Sequence, residues 1–228
     1  MLYIFKRLGL TFWHTFIWMI ESLTIVPGLW KVFELKAPRV TFFGGAKLKL
    51  SGRYAQAAKE LASLLIHDDV SIITGGGSGI MEAAEMGAKE AKEKHKRSMI
   101  SSLGLSVSGL GEGHRSEVYD SFVCVKSFAM RKWLMINFSV AYVVFPGGVG
   151  TYDELAQVLT LMATGKLRKS PIILFGEEYW SNLEAWVNEG VERGFIDEHV
   201  KDFFVIVNDV QTAFNFICKS CTSHGFLV

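Results

Sequence analysis

The chain has 228 residues, of which 50 % are hydrophobic and 21 % charged, and its formal net charge is +1. This length and composition are typical of one globular domain with a sizeable core and exclude an intrinsically disordered chain. The near-neutral charge, without a basic run interleaved with aromatic residues, gives no indication of a nucleic-acid partner. The low, odd count of 3 cysteines argues against a disulfide framework and favours the reducing cytoplasm.

Residues 1–37 are predicted to form an N-terminal amphipathic helical extension. At helical spacing, one apolar face carries Leu8, Phe12, Phe16, Met19, Leu23 and Val26. The pattern predicts that this helix ends at Pro27. A membrane span is not expected because His14 and Glu21 interrupt the apolar run, and no signal-peptide cleavage site follows it. Two alternatives stay open: the helix packs on its own domain or a second subunit, or it lies in a membrane interface.

From residue 38 onward, short apolar runs alternate with longer amphipathic runs. The apolar runs predict strands at 39–45, 70–77, 98–105, 121–127, 140–145, 171–175 and 203–207. The amphipathic runs predict helices at 54–66, 80–94, 128–138, 154–164, 180–191 and 210–218. This repeated order with continuous apolar strands predicts an α/β fold with a doubly wound, mostly parallel sheet in one domain over 38–228.

The helix predicted at 80–94 has a face of small residues and a face of charged residues. Its small residues, among them Ala84 and Gly87, predict a face that lies close to the sheet. Its other face is predicted to hold surface ion pairs of the i,i+4 type, Glu85 with Lys89 and Glu90 with Lys94.

Two glycine-rich turns leave strands at the edge where open α/β sheets bind ligands. Glycine lets backbone amides approach a ligand, and the following helix points its positive N-terminus at the same place, so each turn predicts an anion site. The first turn contains Gly76, Gly77, Ser78 and Gly79, and the second contains Gly147, Gly148, Gly150 and Thr151. Neither contains Gly-Lys-Ser/Thr, which excludes an NTPase P-loop. Together they predict a small ligand that carries a phosphate.

Glu154 has two interpretations. Thr151 and Glu154 have the spacing of a capping box, which would serve only to start the helix. A carboxylate beside a phosphate-binding turn instead suffers like-charge repulsion, which favours a functional role. Its neighbour Asp153 is interpreted as an ordinary complement to the helix dipole.

Arg131 lies one turn inside the helix at 128–138, which Ser127 can cap. It faces the same edge of the sheet as the glycine turns, so it is a candidate site residue. The alternative is a structural arginine paired with an acidic side chain.

No metal site is predicted. Cys218 and Cys221 form a single CxxC without a second pair or a histidine at ligand spacing, so both are interpreted as ordinary helix cysteines. No cofactor is predicted either.

The residues Met130-Arg131-Lys132, followed by a strand and then PGGVGTYDE at 146–154, resemble the PGGxGTxxE signature of the LONELY GUY family. Its members are cytokinin riboside 5′-monophosphate phosphoribohydrolases, often mislabelled lysine decarboxylases. The resemblance covers about 40–207. The stretches TGGGSGIMEAAEMGA and GEEYW are similar to the longer, second type of the family, which has an N-terminal helical extension.

This resemblance implies a Rossmann-like nucleotide-binding catalytic domain over 38–228 and a homodimer, or a larger homo-oligomer, with sites near the subunit interface. It implies hydrolysis of the N-glycosidic bond of a nucleoside 5′-monophosphate, AMP or an N6-substituted relative, to free base and ribose 5-phosphate. The catalytic residues it implies are Arg131 and Glu154, and Lys132 matches a further family position. The phosphate loop it implies is Gly147, Gly148, Gly150 and Thr151.

Three stretches depart from the family pattern, and two of the departures lie in the glycine-rich loops. Gly45 stands where the family often has serine, and Ser78 stands where it often has proline. These departures favour an alternative, in which the chain is a non-catalytic protein that binds or carries a nucleotide or a phosphorylated cofactor.

Overall fold

The computed structural model describes residues 25–95, 101–109 and 118–223, together with residues 13, 15, 23 and 99. Its strands form one parallel sheet in the order β4-β3-β2-β1-β5-β6-β7. The strands are β1 (Arg39–Phe43), β2 (Ser71–Thr74), β3 (Ser102–Val107), β4 (Ser121–Val125), β5 (Ala141–Val144), β6 (Ile172–Phe175) and β7 (Phe204–Val207). The predicted α/β fold with a doubly wound, mostly parallel sheet is confirmed.

Helices cover both faces of the sheet. They are α1 (Val26–Glu34), α2 (Arg53–His67), α3 (Ile80–Lys94), α4 (Phe128–Asn137), α5 (Val149–Ala163), α6 (Glu177–Glu192) and α7 (Val210–Ser223), with a 3₁₀ helix at Glu198–Phe203. One core lies between the sheet and α2, α3 and α7, and the other between the sheet and α1, α4, α5 and α6. Because both faces are covered, the strands β1, β2, β5 and β6 are buried almost throughout, as their apolar sequences predict.

The order of the strands reverses at β1, which lies between β2 and β5. The chain leaves β1 to build one half of the sheet and returns beside it through β5 to build the other half. In such a fold the loops after the two central strands separate, and the crevice between them is the usual ligand site. Both predicted glycine turns lie at this edge.

Helical structure is interrupted just before Pro27: Leu23 is helical, Ile25 lies in a turn, and a separate helix, α1, begins at Val26. Pro27 lies in the first turn of α1, where a proline loses no helical hydrogen bond. The predicted end of the N-terminal helix at Pro27 stays a prediction, because most of that helix lies outside the described residues.

Val32 and Leu35 are buried in the core, so residues 25–37 pack on their own domain. Of the predicted apolar face, Leu23 and Val26 are the members among the described residues, and both are exposed. The domain boundary at 38 stays a prediction. Among the described residues, no helix is long and apolar enough to cross a bilayer.

The predicted surface pair of Glu85 and Lys89 is also wrong, because Glu85 is fully buried. The sheet covers one side of α3, and α2 packs closely against another. A methyl group at Gly87 would overlap the Lys59 carbonyl of α2. With partners on two sides, the buried arc of α3 is wider than one amphipathic stripe and includes Glu85.

Candidate active site

A cavity of about 1050 Å³ opens at the carboxyl edge of the sheet. Loops after β1, β2 and β5 form its centre, and the first turns of α3, α4 and α5 close it from the sides. Its lining includes Gly76, Gly77, Ser78, Arg131, Gly147, Gly148, Gly150, Thr151 and Glu154. These predicted site residues, which are far apart in the chain, therefore meet around one cavity.

The first glycine turn is held by side chains from three directions. The Thr74 hydroxyl accepts the Gly76 N–H (3.3 Å), and the Tyr119 hydroxyl donates to the Gly77 carbonyl (2.8 Å). An Arg131 N–H donates to the Gly75 carbonyl (3.4 Å). The turn needs glycine at Gly76 because its φ is +66°, in the left-handed region.

The N-terminus of α3 is occupied by the protein itself. The Ile80 N–H donates to the Gly45 carbonyl in the loop after β1 (3.2 Å), and Gly79, with φ +66°, lies against that same carbonyl. Gly79 is therefore under the cavity rather than in its lining. The first glycine turn therefore shapes the cavity wall. Because the Ile80 amide is already bonded, α3 has one amide fewer to offer an anion.

The second glycine turn leaves its helix open. Gly148 is the N-cap of α5 and no side chain caps that helix, so its first amides keep their hydrogen-bonding capacity. A methyl group on Gly148 or Gly150 would meet nothing within 4 Å. A methyl group on Gly147 would instead overlap Thr151, so that position requires glycine. The Tyr179 hydroxyl donates to the Gly147 carbonyl. This open helix end is therefore the stronger of the two candidate anion sites.

The capping-box interpretation of Glu154 is wrong. The helix α5 begins at Val149 rather than at the predicted residue 154, and Gly148 is its cap. Thr151 is buried inside the first turn, where its backbone N–H donates to the Gly148 carbonyl (3.0 Å). Glu154 consequently lies in the second turn, on the side of α5 that faces the cavity.

Glu154 forms an ion pair with Arg131 at the cavity floor. An Arg131 guanidinium nitrogen lies 3.2 Å from Glu154 Oε1, and the two side chains are 13 % and 10 % exposed. The guanidinium also lies 5.1 Å above the ring of Phe128. The Ser127 hydroxyl accepts the Met130 N–H and caps α4 as predicted, which fixes the turn that carries Arg131. The two interpretations of Arg131 thus coincide, because its acidic partner is the candidate catalytic carboxylate.

Burial raises the pKa of Glu154 to about 7, and the positive charge of Arg131 opposes this rise. The carboxyl group therefore changes its charge near neutral pH. A carboxyl with this pKa, held by a cation inside a cavity, is typical of a catalytic group.

Lys132 does not line the cavity. Its ammonium group contacts both oxygens of Asp153, at 2.7 and 2.9 Å, and its side chain is mostly buried. Asp153 is therefore the partner of Lys132 rather than a complement to the dipole in the first turn of α5. The binding role of Lys132 stays a prediction.

Several residues that the sequence did not indicate also line the cavity. They are mainly apolar or aromatic, with one cation: Lys47, Leu48, Tyr54, Met81, Phe122, Phe128 and Tyr179. Most of them follow a strand or lie in the first turn of a helix, whereas Phe122 lies inside β4. Met81 and Phe122 lie directly against the first glycine turn and contribute an apolar wall beside it.

Nothing in the described part of the chain gathers three or more metal-ligating side chains into a candidate metal site. Burial raises the pKa of Cys218 and of Cys221 to about 11, so both remain thiols at neutral pH. This fits the interpretation of ordinary helix cysteines rather than a redox pair.

Comparisons with known proteins agree with the signature in the sequence. The profile of the family described as "possible lysine decarboxylase" matches residues 81–217. A probable cytokinin riboside 5′-monophosphate phosphoribohydrolase of Oryza sativa subsp. japonica is 32 % identical over 79 % of this chain and 78 % of its own. The cytokinin riboside 5′-monophosphate phosphoribohydrolase of Rhodococcoides fascians is 25 % identical over 76 % and 86 %.

Solved structures with the same fold include two proteins described by another activity. The molybdenum cofactor binding protein of Rippkaea orientalis superposes with a TM-score of 0.59 at 20 % identity, over 81 % of this chain and 97 % of that chain. The molybdenum cofactor carrier protein of Chlamydomonas reinhardtii has a TM-score of 0.57 at 21 % identity, over 82 % and 99 %. These likenesses confirm the Rossmann-like fold alone. The profile match and the curated relatives together establish that the chain belongs to the LONELY GUY family.

Proposed function

We propose that the protein hydrolyses the N-glycosidic bond of a nucleoside 5′-monophosphate, AMP or an N6-substituted relative, and releases free base and ribose 5-phosphate. The observation that carries this proposal is the Arg131–Glu154 pair on the floor of a cavity whose rim is an open helix N-terminus. The relatives named for the same reaction support it.

The phosphate end of the substrate is assigned to the second glycine turn. The amides at the start of α5 and the helix dipole stabilise a dianionic phosphate, and Gly148 and Gly150 leave room for it. Tyr179 holds the Gly147 carbonyl and so keeps the turn in place. Lys47 adds a positive charge to the cavity lining.

The ribose is assigned to the floor, beside Glu154. As the C1′–N bond breaks, positive charge develops on C1′ and the ring oxygen, and an ionised carboxylate stabilises that charge. The oxygen of water bonds to C1′, one of its protons stays on the new hydroxyl group, and the other ends on the released base. Glu154 is the group placed to orient this water.

Arg131 does not donate a proton at neutral pH, because the pKa of a guanidinium group is too high. Its contribution is positional and electrostatic. It holds the Gly75 carbonyl with one nitrogen and Glu154 with another, so it joins the two glycine turns through one side chain. It also keeps part of the Glu154 population ionised at neutral pH.

The base is assigned to the apolar wall. Met81, Phe122 and Phe128 line that side of the cavity, and flat aromatic surfaces favour stacking with a heterocycle. This apolar wall favours a purine base, rather than a small polar group, as the leaving group.

The second candidate function is a non-catalytic carrier of a nucleotide or a phosphorylated cofactor. Gly45 favours it slightly, because the loop after β1 lacks the hydroxyl group that the family pattern provides. A side chain at this position would crowd the Pro146 carbonyl at 3.1 Å. The Arg131–Glu154 pair has no evident purpose in a carrier, and this favours the enzyme.

The deciding experiment is the release of free base and ribose 5-phosphate from a panel of nucleoside 5′-monophosphates. We expect hydrolysis of at least one purine monophosphate and none of the matching nucleosides, because the α5 amides require a phosphate. Tight binding of one nucleotide without hydrolysis of any would contradict the enzyme and support the carrier.

A homodimer is the second part of the proposal. Val26, Trp30 and Phe33 lie on one exposed face of α1, and Trp133 of α4 continues this apolar patch through Phe138. Aromatic patches of this kind mark protein interfaces.

The dimer predicts a solution mass of twice the 25.5 kDa chain in light scattering. Trp30→Glu is expected to weaken the dimer, because it places a charge in the patch. Trp186→Glu, at an equally exposed tryptophan of α6, is the control and should leave the mass unchanged. A wild-type monomer that sediments with phospholipid vesicles would instead support the membrane alternative for the extension.

A further inference from the structure

Glu85 of α3 is a buried carboxyl group that the proposed reaction does not use. It is fully buried, and its Oε1 accepts a hydrogen bond from the Thr74 hydroxyl at 2.9 Å. The Thr74 oxygen in turn accepts the Gly76 N–H at 3.3 Å. A chain of hydrogen bonds therefore runs from the core, through the last residue of β2, into the first glycine turn.

The direction of each bond gives Glu85 a specific effect on this turn. The Thr74 hydroxyl has one proton, and it points that proton at Glu85. A lone pair of the same oxygen is then directed at the Gly76 amide. Without an acceptor at Glu85, the hydroxyl rotates freely and its hold on Gly76 weakens.

The surroundings of Glu85 favour its neutral form. Burial raises the pKa of Glu85 to about 8; the hydroxyls of Ser102 and Thr74 oppose this rise and the charge of Asp120 adds to it. Lys92, on the same helix, is paired with Asp120. Oε2 has no well-directed donor among the described residues, although the Ser102 hydroxyl lies beside the carboxyl group. When Oε2 carries a proton, it is itself a donor and needs no donor from a neighbouring group.

We propose that Glu85 is a positioning residue: its carboxyl oxygen orients the Thr74 hydroxyl, which fixes the Gly76 amide and thereby the cavity wall that the first glycine turn forms. The effect of Glu85 on turnover rests on the proposed function, because Arg131 holds the neighbouring Gly75 carbonyl. The effect of Glu85 on the conformation of the turn is independent of the proposed function.

The conformation is tested by hydrogen exchange of the peptide that covers 75–79, expressed as protection factors from pH 6 to 9.5. Wild-type protection should fall as the pH rises towards about 8 and level off above it, because an opening that exposes Glu85 returns its raised pKa to the ordinary value and releases the proton. Glu85→Gln, permanently neutral and able to accept from Thr74, should keep its protection throughout this range. Thr74→Val and Glu85→Leu should lose about five- to tenfold at every pH, the effect of one hydrogen bond.

Ser170→Ala is the matched control, since it removes a buried hydroxyl group at the opposite edge of the sheet. It should behave as wild type. Equal protection in Thr74→Val and wild type, or failure of Glu85→Gln to exceed Glu85→Leu, would overturn the proposal. Thr74→Val keeps the test decisive if Glu85→Leu does not fold.

Turnover kinetics give a second, independent test of the proposal. With a hydrolysed monophosphate, Thr74→Val should raise KM about five- to tenfold with a smaller change in kcat. Glu85→Gln should keep a KM close to that of wild type, because its side-chain oxygen can still accept from the Thr74 hydroxyl. If no monophosphate is hydrolysed, the proposed function fails, and hydrogen exchange still supports or overturns the positioning role.

Discussion

Replacing Glu154 by glutamine is expected to reduce kcat by about a thousandfold, within the range measured for general acid–base and electrostatic groups. Glutamine keeps the size of the side chain and a hydrogen-bonding oxygen for Arg131, but it has no negative charge to stabilise the developing cation on the ribose. Nucleotide binding should persist, because the phosphate is held by the backbone of α5. Single-turnover kinetics and calorimetry measure these two effects separately.

The adjacent carboxylate is the natural control. Asp153→Asn removes the same charge one residue away, from a side chain that is 57 % exposed and paired with Lys132. We expect it to change kcat by less than about threefold, because a charge in solvent is screened. If Glu154→Gln and Asp153→Asn have equally small effects, Glu154 is not catalytic.

Arg131→Ala is expected to reduce kcat/KM by about a thousandfold and to move the pH dependence of the reaction. In wild type, activity should rise with pH through about 7, the value to which burial raises the pKa of Glu154. The charge of Arg131 lowers that pKa, so its removal raises the pKa further. The ascending limb of the rate profile should therefore move to higher pH.

Arg131→Lys keeps the charge but has no planar fork to hold the Gly75 carbonyl and Glu154 together. Its ascending limb should stay closer to that of wild type, while kcat/KM falls. Millimolar guanidinium ion should restore part of the activity of Arg131→Ala. An unchanged ascending limb in Arg131→Ala would show that Glu154 does not set the pH dependence.

Much of the fold follows from local patterns. Apolar strands that alternate with amphipathic runs leave few topologies, and glycines after β2 and β5 mark the edge where a ligand binds. The cap at Ser127 was predictable because it depends on neighbouring residues only.

The errors have physical causes. The start of α5 was misplaced because Gly150 is a poor helix former and the spacing of Thr151 and Glu154 imitates a capping box. Glu85 was assigned to the surface because its i,i+4 neighbour Lys89 resembles an ion-pair partner. Only the packing of α3 between the sheet and α2 decides otherwise.

The proposed catalytic pair could not be predicted from local sequence patterns alone. The pairing of Arg131 with Glu154 depends on the crossing of α4 and α5 above the sheet, and no local spacing encodes this crossing. Their position near the glycine turns made both residues candidates, and the resemblance to the family supplied their catalytic roles. Tyr179 and Phe122 had no such signal, because their place in the cavity lining is a property of the folded chain.

The open end of α5 has a consequence for how activities arise on this scaffold. The anion site proposed there consists of main-chain amides, which most substitutions leave in place, whereas the proposed chemistry depends on two side chains. A lineage can therefore lose hydrolysis by one codon change at Arg131 or Glu154 and still hold a phosphorylated ligand. Proteins that store and deliver a phosphorylated ligand could then evolve from hydrolases, and hydrolases from such proteins, without any change of the backbone.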